Sequence, residues 1–243
     1  MTKNRLTAIS LFSGAGGMDA GFEMAGFDVR LALEIDPSCC DTLRRNLPNT
    51  RVLNASVYDL HAEEMCELAG LKIGEVDCVI GGPPCQSFSL AGNRAGLDDD
   101  RGKLVFRFVE LVRQTMPRVF VMENVKGMVN WQGGIVMNEI ENRLKTPLTN
   151  GDTYQVSSKV LNSADFGVAQ FRERVFVVGH RIDGDYRFPS ATHAPYETVP
   201  AKSRLSYVTV NDAIGSLPPA DAPSETAQRV SKTIKGRIAR HGY

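Results

Sequence analysis

The chain has 243 residues, and its 28 lysines and arginines balance its 28 aspartates and glutamates, so the formal charge is zero. A hydrophobic content of 42% and a charged content of 23% exclude a disordered chain and indicate an ordinary globular protein of roughly one domain. The five cysteines include no C-x-x-C pair, which disfavours a disulfide scaffold and a four-cysteine zinc site and favours a reducing, cytoplasmic compartment. No apolar run approaches the roughly 20 residues of a membrane span, so we expect no membrane association.

Strand-like and helix-like segments alternate over the first three quarters of the chain. Six strands are predicted, at Thr7–Phe12, Val29–Glu34, Val76–Gly81, Val119–Glu123, Tyr154–Leu161 and Val175–Gly179. Five helices are predicted, near Met18–Ala25, Pro37–Asn46, Ala62–Ala69, Lys103–Thr115 and Gly134–Leu144. This alternation predicts an α/β fold, a mostly parallel sheet with helices on both faces, whose ligands bind outside the carboxyl ends of the strands.

The composition changes after Arg181. The last 62 residues hold half of the twelve prolines, and only one short helix, Val210–Leu217, is predicted there. We therefore expect a core domain at residues 1–181 and a loop-rich extension at residues 182–243. The final twenty residues carry five basic side chains against one acid, so the balanced total charge conceals a basic end.

A glycine-rich turn follows the first predicted strand. Gly14, Gly16 and Gly17 lie between that strand and a helix, where a nucleotide-like ligand can approach the backbone and the helix N-terminus. The third position of a G-x-G-x-x-G motif is occupied by Asp19, which disfavours a dinucleotide cofactor.

An acidic side chain ends the second predicted strand. Glu34 follows the glycines by about twenty residues, where a carboxylate can accept hydrogen bonds from both ribose hydroxyls of an adenosine-containing ligand. Asp36 is an alternative for this role, and either acid could instead cap the helix that begins at Pro37.

One cysteine differs from the others in its surroundings. The strand ending at Gly81 runs into two prolines and then Cys85, so the thiol is displayed on a rigid corner at the mouth of the sheet. This position suits a nucleophile. The other four cysteines are expected to be buried apolar side chains: Cys39, Cys40, Cys66 and Cys78.

Further polar side chains follow the next strands. Glu123 and Asn124 end an apolar strand, so both are expected at the carboxyl edge of the sheet. Arg172 and Arg174 precede the last strand, and the period of two in an extended chain puts both on one face.

Together these segments resemble the cytosine-5 DNA methyltransferase family, in the order of that family and over roughly residues 7–181. The matching segments are Phe12-Ser-Gly-Ala-Gly-Gly17, Glu34, Gly82-Pro-Pro-Cys-Gln-Ser-Phe-Ser89, Arg101-Gly-Lys-Leu104, Glu123-Asn-Val125 and Gln170-Phe-Arg-Glu-Arg174. The resemblance implies the Rossmann-like fold of S-adenosylmethionine-dependent methyltransferases. It implies S-adenosyl-L-methionine as the cofactor, held by Phe12, Gly14, Gly16, Gly17, Met18, Glu34, Ile35, Ser56, Val57, Pro84 and Leu104. Where the family usually has an aspartate for the adenine, this chain has Ser56, and Asp59 is an alternative.

The resemblance also implies a mechanism. The thiolate of Cys85 adds to ring carbon 6 of a cytosine flipped out of double-stranded DNA, and carbon 5 then takes the methyl group. Glu123 contacts ring nitrogen 3, Arg172 holds the exocyclic oxygen, and Arg174 supports the same corner. Substrate contacts are expected from Gln86, Ser89, Asn124 and Gln170, and no metal is expected.

Complete single-chain family members continue into a target-recognition region and further motifs that nothing here matches. We therefore expect the catalytic subunit of a split enzyme of a restriction–modification system in a prokaryotic cytoplasm, with a second subunit carrying the missing region. Two alternatives are an RNA cytosine-5 methyltransferase and an inactive remnant that only binds cofactor or partner. A nicotinamide-dependent oxidoreductase is disfavoured, because the glycine spacing is wrong.

Overall fold

A computed structural model describes residues 5–84, 100–195 and 205–217, together with Arg229 and Lys232. Within these residues the chain forms nine strands and seven α-helices. The strands are β1 (Thr7–Leu11), β2 (Asp28–Glu34), β3 (Arg51–Asn54), β4 (Cys78–Gly81), β5 (Val119–Val125), β6 (Gln155–Asn162), β7 (Glu173–His180), β8 (His193–Ala194) and β9 (Leu205–Ser206). The helices are α1 (Gly17–Met24), α2 (Pro37–Asn46), α3 (Ala62–Leu68), α4 (Asp100–Thr115), α5 (Gly127–Asn130), α6 (Ile135–Lys145) and α7 (Val210–Ile214).

Seven strands form one sheet in the order β3-β2-β1-β4-β5-β7-β6. Strands β1 to β5 pair in parallel, and only β7 runs against its neighbours β5 and β6. The chain order reverses at β1, which lies between β2 and β4, so the carboxyl ends of β1 and β4 flank the crevice in which such sheets bind ligands. The predicted mostly parallel α/β sheet is confirmed.

Helices cover both faces of this sheet because the buried strands are apolar on both sides. On one face, Ala8 and Ile80 pack with Phe22 of α1. On the other face, a larger core joins Ile9 and Leu11 of β1 to side chains of α3, α4 and α6, with Phe108 of α4 fully buried.

Strand β3 was not predicted from the sequence. It has four residues, and the side chains at both of its ends are exposed, so it shows neither an apolar run nor a clear alternation. It nevertheless pairs with β2 at the sheet edge and delivers residues 55–57 beside the end of β2. The predicted helix at Val210–Leu217 is shorter than expected and ends at Ile214.

The described residues divide into two compact units. The first lies within Met1–Asn162 and Arg172–Ser190, and the second within Ser163–Phe171 and Ala191–Tyr243. The segment at 163–171 groups with the later residues because Thr192 N donates to Asp165 O at 2.9 Å and the Tyr207 hydroxyl donates to the Asp165 carboxylate at 2.6 Å. The first unit thus extends past the boundary expected at residue 181.

Candidate active site

The turn after β1 has a backbone that few residues adopt. Phe12, Gly14 and Gly16 have φ values of 55°, 54° and 87°, and a positive φ is uncommon outside glycine. A Cβ at Gly16 would lie 2.7 Å from Leu43 Cδ2 of α2, so a side chain there would force the Leu43 side chain to move. The glycines of this turn therefore allow a tight reversal directly into α1.

The carboxylate of Glu34 is fixed against the glycine turn. Gly14 N donates to Glu34 Oε2 at 2.7 Å, and Asp36 N donates to Oε1 at 2.9 Å. Each carboxylate oxygen has a second lone pair, so both can still accept a hydroxyl hydrogen bond. This is the arrangement expected for an acid that binds a ribose diol.

Asp36 has a different role. Its side chain caps α2 and accepts hydrogen bonds from Ser38 N at 2.7 Å and Cys39 N at 3.2 Å. Hydrogen bonds from the Ser38 hydroxyl and these amides lower the pKa of Asp36 below its usual value. Of the two acids that the sequence left open, Asp36 is the helix cap and Glu34 is the one available to a ligand.

A cleft beside Glu34 has mostly apolar walls. Seven of the predicted cofactor-binding residues line it: Phe12, Glu34, Ile35, Ser56, Val57, Pro84 and Leu104. The carboxylate of Asp59 accepts the backbone N–H of Ser56 at 3.2 Å, so it closes the local turn while Ser56 lines the cleft. Apolar walls with one fixed acid fit an adenosine group.

Arg107 is a contributor to this cleft that the sequence did not reveal. From α4 it donates through Nε to Val57 O at 3.1 Å and through Nη2 to Leu60 O at 2.8 Å. Its side chain is only 11% exposed. Arg107 therefore fixes the loop that carries Ser56 and Val57 to the helix that carries Leu104.

The second part of the site lies at the ends of β4 and β5. Oε1 of Glu123 is 3.0 Å from Arg174 Nε and 3.7 Å from Arg172 Nη2. A Cβ at Gly82 would be 3.4 Å from the other carboxylate oxygen, Oε2. The structure thus brings the carboxylate and both arginines together beside the turn that leads from β4 toward Cys85.

Asn124 is turned away from Glu123, because successive side chains of a strand point to opposite faces. It is 3% exposed, and its amide donates to Pro83 O at 3.1 Å while its oxygen accepts Val125 N at 2.8 Å. The structure gives this side chain a role in holding the Gly82-Pro83-Pro84 turn, whereas the sequence predicted a substrate contact.

Several predicted residues have no described place at this site. Cys85, Gln86 and Ser89 lie outside the described residues, and Gln170 belongs to the second compact unit.

Cys40, Cys66 and Cys78 are buried, and burial raises the pKa of each thiol, for Cys66 to about 11. The predicted burial of these three is confirmed, while Cys39 is half-buried.

A larger pocket of about 640 Å³ lies along α4 and α6, and Arg107 is among its lining residues. The arginines of this pocket bind groups of the protein itself. Arg113 donates to the carbonyl groups of Arg143, Thr146 and Pro147, and Arg143 stacks over Phe106.

The described residues contain no group of three or more potential metal ligands and no helix long and apolar enough to cross a membrane.

A sheet of this strand order, with a glycine turn after β1 and a fixed acid at the end of β2, defines the Rossmann-like methyltransferase fold. Residues 6–241 match the model of the C-5 cytosine-specific DNA methylases, and the chain belongs to this family. The enzyme class is therefore DNA (cytosine-5) methyltransferase, as the resemblance predicted.

Similar proteins span different lengths. The type II methyltransferase M.AquIA of a Picosynechococcus strain is 51% identical, and the match covers 97% of this chain and 98% of that relative. M1.HphI of Haemophilus parahaemolyticus is 41% identical, over 89% of this chain but 54% of its own length. The crystal structure of a prophage-encoded DNA modification methyltransferase of E. coli superposes with a TM-score of 0.68 at 31% identity, over 88% of this chain and 56% of that one.

Proposed function

We propose that this chain is the catalytic subunit of a two-chain cytosine-5 DNA methyltransferase of a restriction–modification system. It transfers a methyl group from S-adenosyl-L-methionine to carbon 5 of a cytosine flipped out of duplex DNA, by way of a covalent adduct on Cys85. The supporting observation is the Glu123 carboxylate, which the two arginines hold beside the turn that leads into Cys85.

The chemistry begins with an unreactive ring carbon. Attack by the Cys85 thiolate forms a bond from sulfur to carbon 6 and moves ring electrons toward nitrogen 3. Glu123 stabilises the charge that develops at this nitrogen or delivers a proton to it. Carbon 5 is then electron-rich and takes the methyl group. Loss of the proton from carbon 5 and expulsion of the thiolate restore the aromatic ring.

The arginines orient these partners. Arg174 Nε at 3.0 Å fixes the carboxylate of Glu123, while Arg172 lies farther away at 3.7 Å and is about half exposed. A guanidinium in this position can donate to the exocyclic oxygen of a base beside Glu123. Asn124 holds the Pro83 carbonyl and so restricts the direction in which the chain enters Cys85.

The residues around Glu34 fit the proposed cofactor. Glu34 would accept the ribose hydroxyls, and the apolar cleft at Phe12, Ile35 and Leu104 would hold the adenine. When bound, the cofactor supplies an electrophilic methyl group on a sulfonium. The role of the chain is to hold this group at the carboxyl ends of β1 and β4, next to the turn that precedes Cys85.

A second chain is proposed from the comparison of lengths. The chain corresponds to nearly all of M.AquIA but to only about half of M1.HphI and of the E. coli methyltransferase. We propose that a separate polypeptide supplies the part of those longer relatives that this chain does not match. This second polypeptide would recognise the target sequence in double-stranded DNA.

A transfer assay with radiolabelled methyl donor tests this function. The chain, co-expressed with the reading frames that flank its gene, is expected to label duplex DNA at carbon 5 of cytosine and to leave transfer RNA unlabelled. Glu123→Gln should lower the rate about 10²- to 10⁴-fold. Glu173→Gln is the matched control, because that exposed carboxylate pairs with Lys126 away from Glu123.

Each alternative gives a different result in the same assay. Labelling of transfer RNA but not DNA would support an RNA methyltransferase. Cofactor binding without transfer to either nucleic acid would support an inactive remnant. Full sequence-specific activity from the purified 243-residue chain alone would contradict the two-chain proposal.

A further inference from the structure

Asp19 is a buried carboxylate that forms no hydrogen bond with the residues that the structure describes. It is the third residue of α1, its side chain is fully buried, and neither of its oxygens has a hydrogen-bond partner among the described residues. A charge without a partner in such a place is costly, so buried polar groups of this kind require an explanation.

Two serine hydroxyls lie close to this carboxyl group. Ser10 lies in β1 and is 1% exposed, while Ser13 lies in the turn and is half-buried. Their hydroxyls are near Asp19 but bond to each other, with Ser13 Oγ donating to Ser10 Oγ at 2.8 Å. Ser13 is also the chain neighbour of Gly14, whose amide donates to Glu34 of the proposed cofactor site at 2.7 Å.

The neighbouring charges leave the acid uncompensated. Ser10 of β1, Ser13 of the turn and Glu34 of β2 are the groups that act on Asp19, and none of them is a cation. Burial is the main cause and raises the pKa of Asp19. The nearby donors of Ser10, Ser13 and the Asp19 backbone N–H offset only part of this rise, and the negative charge of Glu34 adds to it. A cation entering the glycine turn would therefore meet the two acids Asp19 and Glu34, and no cationic side chain of the described residues is among the groups that act on Asp19.

We infer that Asp19 is the counter-charge for the ammonium group of the methionine moiety of the cofactor, acting through the hydroxyl of Ser13. This inference rests on the proposed cofactor. With Glu34 holding the ribose next to Gly14, the amino-acid end of the ligand continues along the glycine turn toward α1. The ammonium then donates to Ser13 Oγ, and the Ser13 hydroxyl rotates away from Ser10 to donate to the carboxylate of Asp19.

The test compares two ligands on two proteins by isothermal titration calorimetry. The ligands are S-adenosylhomocysteine and its deaminated form, in which hydrogen replaces the amino group, and the protein is the full chain as purified with its flanking gene products. Wild-type protein should bind S-adenosylhomocysteine about 10- to 100-fold more tightly than the deaminated form. Asp19→Asn should lose most of this preference and bind the deaminated ligand as wild type does.

A structural role for Asp19 predicts a different pattern. If Asp19→Asn lowers the affinity for both ligands by the same factor, or changes neither affinity, the inference is overturned while the cofactor proposal stands. If the wild-type protein binds neither ligand, the cofactor proposal fails and the inference fails with it. Asp41→Asn on α2 is the control, because its exposed carboxylate contacts only Arg44 in the described structure.

A second variant serves if Asp19→Asn does not fold. Ser13→Ala removes the hydroxyl that connects the ammonium to Asp19 and keeps the Cβ of this half-buried residue. It should reduce the preference for the amine over the deaminated ligand by about 10-fold. An unchanged preference in Ser13→Ala would overturn the inference.

Discussion

At the scale of single residues, the proposed chemistry depends on where one carboxylate is held. Glu123 could turn in several directions at the end of β5, and Arg174 selects one of them through a contact of 3.0 Å. A charge-assisted contact of this kind also keeps Glu123 in place before substrate arrives, so little reorganisation is required during the reaction. The arginine pair was predictable from the period of two, because residues 172 and 174 of an extended chain share a face.

Asp19 leads to a prediction for stability. Because burial raises its pKa, ionising it in the folded protein costs free energy. Its contribution to stability is complete below the unfolded pKa of 3.8 and is lost as the pH rises through the higher folded value. Asp19→Asn does not titrate, so it should be more stable than wild type near neutral pH, by on the order of 1–3 kcal/mol.

Thermal unfolding measures this difference. The melting temperature of Asp19→Asn should exceed that of wild type by a few degrees at neutral pH, at about 2–4 °C per kcal/mol for a chain of this size. The advantage should shrink as the pH is lowered toward the unfolded pKa. A variant less stable than wild type at every pH would show that the carboxylate is well accommodated in the folded protein.

At the scale of elements, the turn after β4 is fixed by the neighbouring strand. Asn124 of β5 donates to Pro83 O across the sheet edge, and Asn124→Ala leaves that carbonyl without its partner. We expect a loss of about 1–3 kcal/mol of stability and a larger loss of turnover, because Cys85 follows the loosened turn. Denaturant unfolding and methyl transfer together check this, with Asn46→Ala at the exposed end of α2 as the control.

Asn124→Ala also separates two interpretations of this residue. If the side chain acts mainly on substrate, KM for DNA should rise while the free energy of unfolding stays at the wild-type value. If it holds the turn, unfolding and turnover should both change. Unchanged stability would contradict the role that the structure gives it.

Elements with a regular pattern were predictable from sequence, and those defined by distant contacts were not. Helix α2 was predicted at its observed bounds because Asp36 and Pro37 mark its start. Strand β3 has too few residues to show a pattern. The role of Arg107 depends on carbonyl groups about fifty positions earlier, and the burial of Asp19 depends on packing, so neither is visible in the local sequence.

At the scale of the whole molecule, the fold gathers residues from distant parts of the chain at one edge of the sheet. The cofactor-binding candidates come from the ends of β1, β2 and β3, and Glu123 comes from the end of β5. The parallel strand order accounts for this, since parallel strands present their carboxyl ends together. Family membership was predictable because the motifs at these ends are short and specific.

The central claim is that Cys85 forms a covalent bond with cytosine, and trapping that adduct tests it most directly. In duplex DNA that contains 5-fluorocytosine, fluorine replaces the proton that must leave carbon 5, so the adduct should persist after methyl transfer. With S-adenosyl-L-methionine present, the wild-type complex should give a denaturation-resistant conjugate of this chain with DNA, and Cys85→Ser should give none. Methylation of normal DNA without any trapped conjugate, or a conjugate formed equally by Cys85→Ser, would contradict the account.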